Sequence, residues 1–313
     1  MFNTTHTFVG LAIARTGVDE RLRNAAWTAV IAANLPDIEV LTGLSGTPTY
    51  LDYHRGITHS LIGIPILSLL VAGGVFILSG HFWRNFLVAF IAMATHPILD
   101  YSNTYGWRPF LPFDGAWYYG DLLFIFDPYI DVIFVAGIVG GNLLSNKKVM
   151  AWASLIAVII YMGARFELHE MAVSQVETFA ARTPGAEKWA AFPTMLNPFE
   201  WEGIIQTKTE LIKVRVDAQD GVSGEIARVD RGGSSQITDE AAKAVTAASL
   251  LRFARFPANK VEGMRFGAIG YRVLFFDFRF YDEIDKTGLG AEVILDQSFH
   301  VLKENLSFAQ TIK

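Results

Sequence analysis

His54-Arg55-Gly56-Ile57-Thr58-His59-Ser60 stands at the mouth of an apolar run that continues through residues 61–80 without a charge. From Ile57 onward the run exceeds the ~20 residues that a membrane-spanning helix needs. Three further apolar stretches follow, 85–99 and then the pair 132–144 and 149–163, the latter two joined by Ser145-Asn146-Lys147-Lys148. Two shorter apolar stretches, 8–14 and 25–35, precede them. These are too short to span unless tilted or partly buried, and taken alone they also fit two core helices of a soluble domain.

The bulk composition agrees with a membrane protein on one side only. Of 313 residues, 51% are hydrophobic and 18% charged, more apolar than an average soluble domain. Charges are scarce to about residue 165 and frequent afterwards. The fold expected is therefore a multi-pass α-helical membrane domain of about four to six helices over 1–166. A linker helix and loop follow over 167–198, then a small soluble α+β domain over 199–313. In that last part, 204–216 and 271–280 alternate as strands do, 291–302 reads as another, and Thr238 is placed to cap a helix running to about Phe253.

Net charge is −5, which gives nucleic acid no electrostatic hold. There is no cysteine, so disulfides and thiol nucleophiles are excluded and a metal would be held by histidine and carboxylate, as suits zinc or another divalent first-row ion. The first residues lack a basic region, so no cleaved signal peptide is expected.

If the chain crosses at each segment, Arg15, Arg21, Arg23, Arg84, Lys147 and Lys148 share one side, cytoplasmic by the positive-inside rule. His6, Asp37, His54, His59, His96 and Asp100 then all fall at the extracytoplasmic ends. Lysine and arginine alone set that orientation, so the gathering of the histidines and aspartates is independent of it. A metal site at one face of the membrane follows. His96 and Asp100 are four apart and share a helix face, although Pro97 between them disturbs the helix unless it begins there. Arg55 and His59 are also four apart, making His59 the better ligand with Arg55 beside it facing substrate. His54 joins only if it precedes the helix. Asp121 and Asp127, in the aromatic-rich 103–128 segment, are candidates to orient a water. His81, His169 and His300 are left out. The same ionisable groups would also serve an ion- or proton-coupled transporter, or a non-catalytic scaffold with a structural metal.

Thr5-His6-Thr7-Phe8-Val9-Gly10, Asn34-Leu35-Pro36-Asp37, the 54–60 stretch and Thr95-His96-Pro97-Ile98-Leu99-Asp100 resemble the YdjM-like family, described as LexA-regulated, membrane-bound, metal-dependent hydrolases. Asn197-Pro198-Phe199-Glu200-Trp201, Phe256-Pro257 and Asp277-Phe278-Arg279-Phe280 look like landmarks of its longer members. The order of ligands is also similar to that in zinc phospholipase C and the P1-type nucleases. That resemblance implies one ion held by Asp37, His59, His96 and Asp100 and a second by His6 and a bridging Asp100. It implies zinc, with manganese the other option, one or two ions in all. The chain departs from the pattern in lacking the N-terminal tryptophan ligand and any later His-x-x-x-Glu or His-x-x-x-Asp pair. The resulting expectation is a hydrolase in the bacterial cytoplasmic (inner) membrane, its metal site and C-terminal domain extracytoplasmic. A phosphoester in a lipid or lipid-linked molecule is its expected substrate, with Arg55 stabilising charge on the phosphate.

Overall fold

A computed structural model describes residues 1–18, 24–266, 268–282, 286–307 and 310–311. Arg21 and Arg23, two of the charges that set the expected orientation, lie outside the described residues. The chain divides into two compact units: Met1–Glu39 with Arg55–Met171 and Phe192–Glu200, and Val40–His54 with Ala172–Ala191 and Trp201–Lys313.

The first unit is helical. Helices α1 (Asn3–Arg15) and α2 (Ala25–Asn34) form over the two short apolar stretches. They approach closely because Gly10 faces the backbone of α2, where an added Cβ would lie 2.8 Å from the Ala29 carbonyl oxygen. Ala29, Ala32 and Ala33 of α2 are completely buried, as are Ala89 and Ala92 in the helix α2 packs against. Small side chains at helix contacts let backbones pack tightly where lipid gives no hydrophobic drive between helices.

The run after His54 does not form one helix from Ile57. A short α3 (Thr47–Tyr53) ends before it, Ile57–His59 makes a single 3-10 turn, and α4 begins only at Gly63 and runs to Ser79. The break is local chemistry. Ser60 is extended, and its Oγ accepts from the Gly63 N–H at 2.9 Å, closing a hydroxyl turn. Gly63 sits so tightly on the Ile57 carbonyl that a Cβ would lie 1.8 Å from its oxygen. Absence of charge identifies an apolar segment and is silent on where its helix starts.

Helix α5 (Phe82–Tyr101) contains Pro97 in its interior rather than at its start. Helices α6 (Pro128–Leu143) and α7 (Lys147–Ala180) complete the unit's helical set, and α7 runs unbroken past Arg165. Among the described residues, α5 and α7 are long and apolar enough to cross a membrane, and a third span is available if the broken segment through α4 counts as one. Large apolar side chains stand outward, Ile77 at 83% and Leu143 at 79% exposure among them, as lipid-facing helices require.

The second unit carries α3, β-sheets and two further short helices among its described residues. Strands β1 (Lys188–Pro193), β2 (Glu200–Gln206), β3 (Glu210–Asp217) and β4 (Gly221–Asp230) form one sheet in that order. After α8 (Gln236–Ala241) and α9 (Val245–Phe253) come β5 (Pro257–Phe266), β6 (Ala268–Asp277), the short β7 (Tyr281–Asp282) and β8 (Lys286–Thr287), β9 (Gly290–Asp296), β10 (Val301–Ser307) and β11 (Gln310–Thr311). The second sheet is antiparallel, ordered β10-β9-β6-β5. Helix α9 lies on β6 and β9 through Ala247, Leu250 and Phe253, three apart and buried.

Three expectations change here. The 204–216 strand is two, because the Thr207 hydroxyl accepts from the N–H groups of Thr209 and Glu210 and turns the chain. The 291–302 strand is a hairpin turned by the Asp296 carboxylate, which accepts from Ser298 and His300 N–H. The helix cap is Ser235, which forms a reciprocal capping box with Thr238, and the helix expected to reach Phe253 is interrupted between Ala241 and Val245.

One buried ion pair ties the second sheet to its neighbours. The completely buried Asp277 carboxylate accepts from the N–H groups of Arg255 and Phe256 and from the backbone and guanidinium of Arg279, at 2.7 Å for Nη2. Burial pushes its pKa up, but Arg279 and these hydrogen bonds outweigh it and hold the carboxyl below the usual range. The folded unit thus favours the charged form, so the contribution is full above about pH 4 and is lost as pH falls through the folded value. Asp277→Ala leaves Arg279 buried without its charge partner, and a loss of roughly 3–5 kcal/mol is expected, measured by urea unfolding of the full chain in detergent.

Candidate metal centre

Three chain segments of the first unit converge on one point. Pro36 follows α2 directly and starts a 3-10 stretch, Leu35–Ser45, that carries Asp37 and Glu39. The 3-10 turn Ile57–His59 delivers His59, and one face of α5 delivers His96 and Asp100. With Pro97 inside the helix, the i,i+4 spacing holds. His59 Nε2 and His96 Nε2 are 3.1 Å apart. Asp37 Oδ1 lies 3.4 Å from His96 Nε2 and 3.6 Å from His59 Nε2, while Asp100 Oδ2 lies 3.6 Å from both. Asp37, His59, His96 and Asp100 each offer one donor atom, all within 4.8 Å of one another. Three of the four are buried, and the Asp37 side chain, at 25% exposure, forms the open side.

This donor set fits a cation. His96 Nδ1 is 2.6 Å from the Ala33 carbonyl oxygen, which can only accept, so Nδ1 carries a proton and Nε2 is the nitrogen turned inward. Its inward neighbours at 3.1–3.6 Å are a second imidazole nitrogen and two carboxylate oxygens. Lone pairs gathered at that distance in a buried place repel unless a positive charge lies among them. His6 adds a second sign. Its ring stacks on His96 with centroids 3.7 Å apart, Nε2 lies 3.6 Å from Asp100 Oδ1, and neither buried ring nitrogen has a hydrogen-bond partner. The Met1 amine also contacts Asp100 Oδ1. Asp100 therefore has one oxygen toward the four-residue cluster and the other toward His6.

Arg55 does not stand at the open face. It adopts a left-handed backbone, φ 49°, and its buried guanidinium places Nε 3.0 Å from Asp100 Oδ2. Nη1 reaches the Asp100 carbonyl, Asn103 Oδ1 and the Gly106 carbonyl. It holds a ligand and the loop beyond α5 rather than reaching toward a substrate. His54 belongs to the second unit, where its ring lies against Tyr50 and Phe253, and it is not one of the clustered residues. Asp127 caps α6, one oxygen accepting from Tyr129 and Ile130 N–H and the other from the Tyr161 hydroxyl at 2.9 Å. That commits it to the fold. Asp121 is buried at φ 53° in the loop between α5 and α6 and is also outside the cluster.

The sequence reading missed Glu39. Its carboxylate accepts from the N–H groups of Gly56 at 3.0 Å and Thr58 at 3.3 Å and from the Thr58 hydroxyl, and Oε2 lies 3.3 Å from His59 Nδ1. Burial pushes Glu39 up, yet these partners hold it below the usual carboxylate range. Asp37 is likewise held well below that range, burial being outweighed by the two imidazoles. The available signal was a second acid two residues after Asp37 in an otherwise apolar stretch.

The family described as YdjM inner membrane protein matches residues 1–172, more than half of the chain. The chain belongs to that family. Every residue of the cluster, together with His6, Glu39 and Arg55, lies inside the YdjM match. The family description and the apolar helices agree on the inner membrane. The uncharacterized protein YfhP of Bacillus subtilis (strain 168) is 26% identical over 192 residues, covering 56% of this chain and 59% of that protein. No solved structure matches.

Proposed function

We propose that this YdjM-family chain is a multi-pass membrane-bound, metal-dependent hydrolase of a phosphoester in a lipid or lipid-linked substrate at the outer face of the membrane. The observation that carries the reading is the convergence of two imidazoles and two carboxylates, brought from separate segments, with one side left open at Asp37. A closed structural site would have no such side. Zinc suits the nitrogen and oxygen donors, and manganese is the alternative. When bound, a divalent ion there supplies Lewis acidity toward a phosphoryl oxygen and lowers the pKa of water to about 7.

The chain's own residues do the rest. His96 and Asp100 are fixed on α5, His96 by the Ala33 carbonyl and Asp100 by Arg55, whose charge offsets the carboxylate. Asp37 is the ligand that a substrate meets first. Next to it and to His59, Ile38, Ile57 and Leu61 present exposed apolar side chains, suited to an acyl or polyisoprenoid chain. His6, whose Nε2 lies 3.6 Å from Asp100 Oδ1 and whose two ring nitrogens make no hydrogen bonds, would hold a second ion.

The test is product release from phospholipid and polyisoprenoid phosphate substrates in mixed micelles, using zinc- or manganese-loaded protein. Turnover abolished by a chelator and absent in His59→Ala is expected. Loaded wild type inert toward every phosphoester lipid would contradict the reading.

A further inference from the structure

Both imidazoles of the cluster are backed by an acceptor on the nitrogen that faces away from it. For His96 the acceptor is a backbone carbonyl, Ala33 O, at 2.6 Å. For His59 it is a carboxylate, Glu39 Oε2, at 3.3 Å, with the Thr58 hydroxyl 3.1 Å from the same Nδ1. We propose that Glu39 is the positioning residue of His59: it keeps the proton on Nδ1, so that Nε2 is the nitrogen presented to the metal. This rests on the metal reading of the cluster.

The geometry leaves little choice of tautomer. Glu39 is buried against the turn it serves, and Thr58 Oγ1 has a single proton, with Pro36 O at 2.9 Å and Glu39 Oε1 both available to take it. Either use leaves Thr58 Oγ1 able only to accept from Nδ1. His59 Nδ1 is thus surrounded by acceptors, and a bare lone pair there would face a carboxylate. Outer carboxylates of this kind orient a metal-binding imidazole and raise its basicity. Glu39 also grips Gly56 and Thr58 N–H, so the same group fixes the turn and the ring it carries. The Nδ1 contact is what separates a positioning role from a purely structural clasp.

Glu39→Gln separates them, because an amide has one accepting oxygen and an NH2 that faces donors. Thr58→Val is the comparison, since it loosens the turn and leaves the Glu39–Nδ1 contact. Affinity for cadmium, by competition with a chromophoric chelator, is expected to fall about 10–100-fold in Glu39→Gln and only a few-fold in Thr58→Val. Equal losses in the two variants, or none in Glu39→Gln, would overturn the proposal. Should Glu39→Gln not fold, wild type labelled with 15N in its imidazoles decides, His59 being assigned by its loss in His59→Ala. A protonated Nδ1 in metal-free and cadmium-loaded protein supports the role of Glu39, and an unprotonated Nδ1 in either state overturns it. Cadmium uptake by wild type, measured alongside, distinguishes the two readings. No uptake sinks the metal centre itself, whereas uptake with an unprotonated Nδ1 sinks the Glu39 role alone.

Discussion

His96→Ala is expected to weaken metal binding about 100-fold. The figure follows from dividing the ~10–16 kcal/mol of a four-ligand zinc site evenly, which gives ~3 kcal/mol per ligand. His96 is completely buried on α5 and held at Nδ1 by the Ala33 carbonyl, so no neighbouring side chain replaces it without moving a helix. The same substitution has an opposing effect on the metal-free protein. It removes one of the crowded lone pairs, which offsets part of the cost of the cavity left behind. Metal-free His96→Ala is therefore expected to melt near the wild-type temperature, while the rise in melting temperature on adding metal disappears. In wild type that rise should reflect about 2.7 kcal/mol at a free metal concentration of 100 times Kd. Thermal unfolding of both proteins with and without zinc checks the pair of statements together.

The second large effect is Arg55→Met. Asp100 would be left as a buried carboxylate whose guanidinium partner is gone, and the Asp100, Asn103 and Gly106 oxygens would lose their shared donor. Breaking a buried pair from one side costs roughly 3–5 kcal/mol, so the first unit should unfold at a clearly lower denaturant concentration. Adding Asp100→Asn should recover most of that loss, because the pair is then absent from both sides. An arginine that touched only substrate would behave otherwise, raising KM with stability unchanged. Denaturant midpoints of the two single variants and the double variant distinguish these roles.

Much of the centre was legible in the order of residues. His-x-x-x-Asp spacing on a helix placed His96 and Asp100 on one face, and His6, Asp37 and His59 each stood at or near the end of an apolar segment. Apolar length found the helices. What was hidden depended on hydrogen bonds that spacing does not encode. Pro97 was compatible with either a helix start or a helix interior. Ser60 and Gly63 break a run whose hydropathy is continuous. Arg55 reads the same on paper whether it meets a substrate phosphate or a buried carboxylate, and only burial beside Asp100 decides. His54 and His59 look like one motif, yet the turn between them sends the two rings to different units. In the C-terminal half, Thr207 and Asp296 turn the chain through side-chain acceptors inside stretches that keep a strand-like composition.

Metal content reads directly whether Asp37, His59, His96 and Asp100 hold a divalent ion. The wild-type protein, purified in detergent, loaded with zinc or manganese and freed of excess ion, would be assayed by elemental analysis. One or two equivalents per chain, removed by a chelator, are the predicted result. Wild type retaining no ion after loading would contradict the account, and the lone pairs facing one another in the cluster would then have to be bridged by protons.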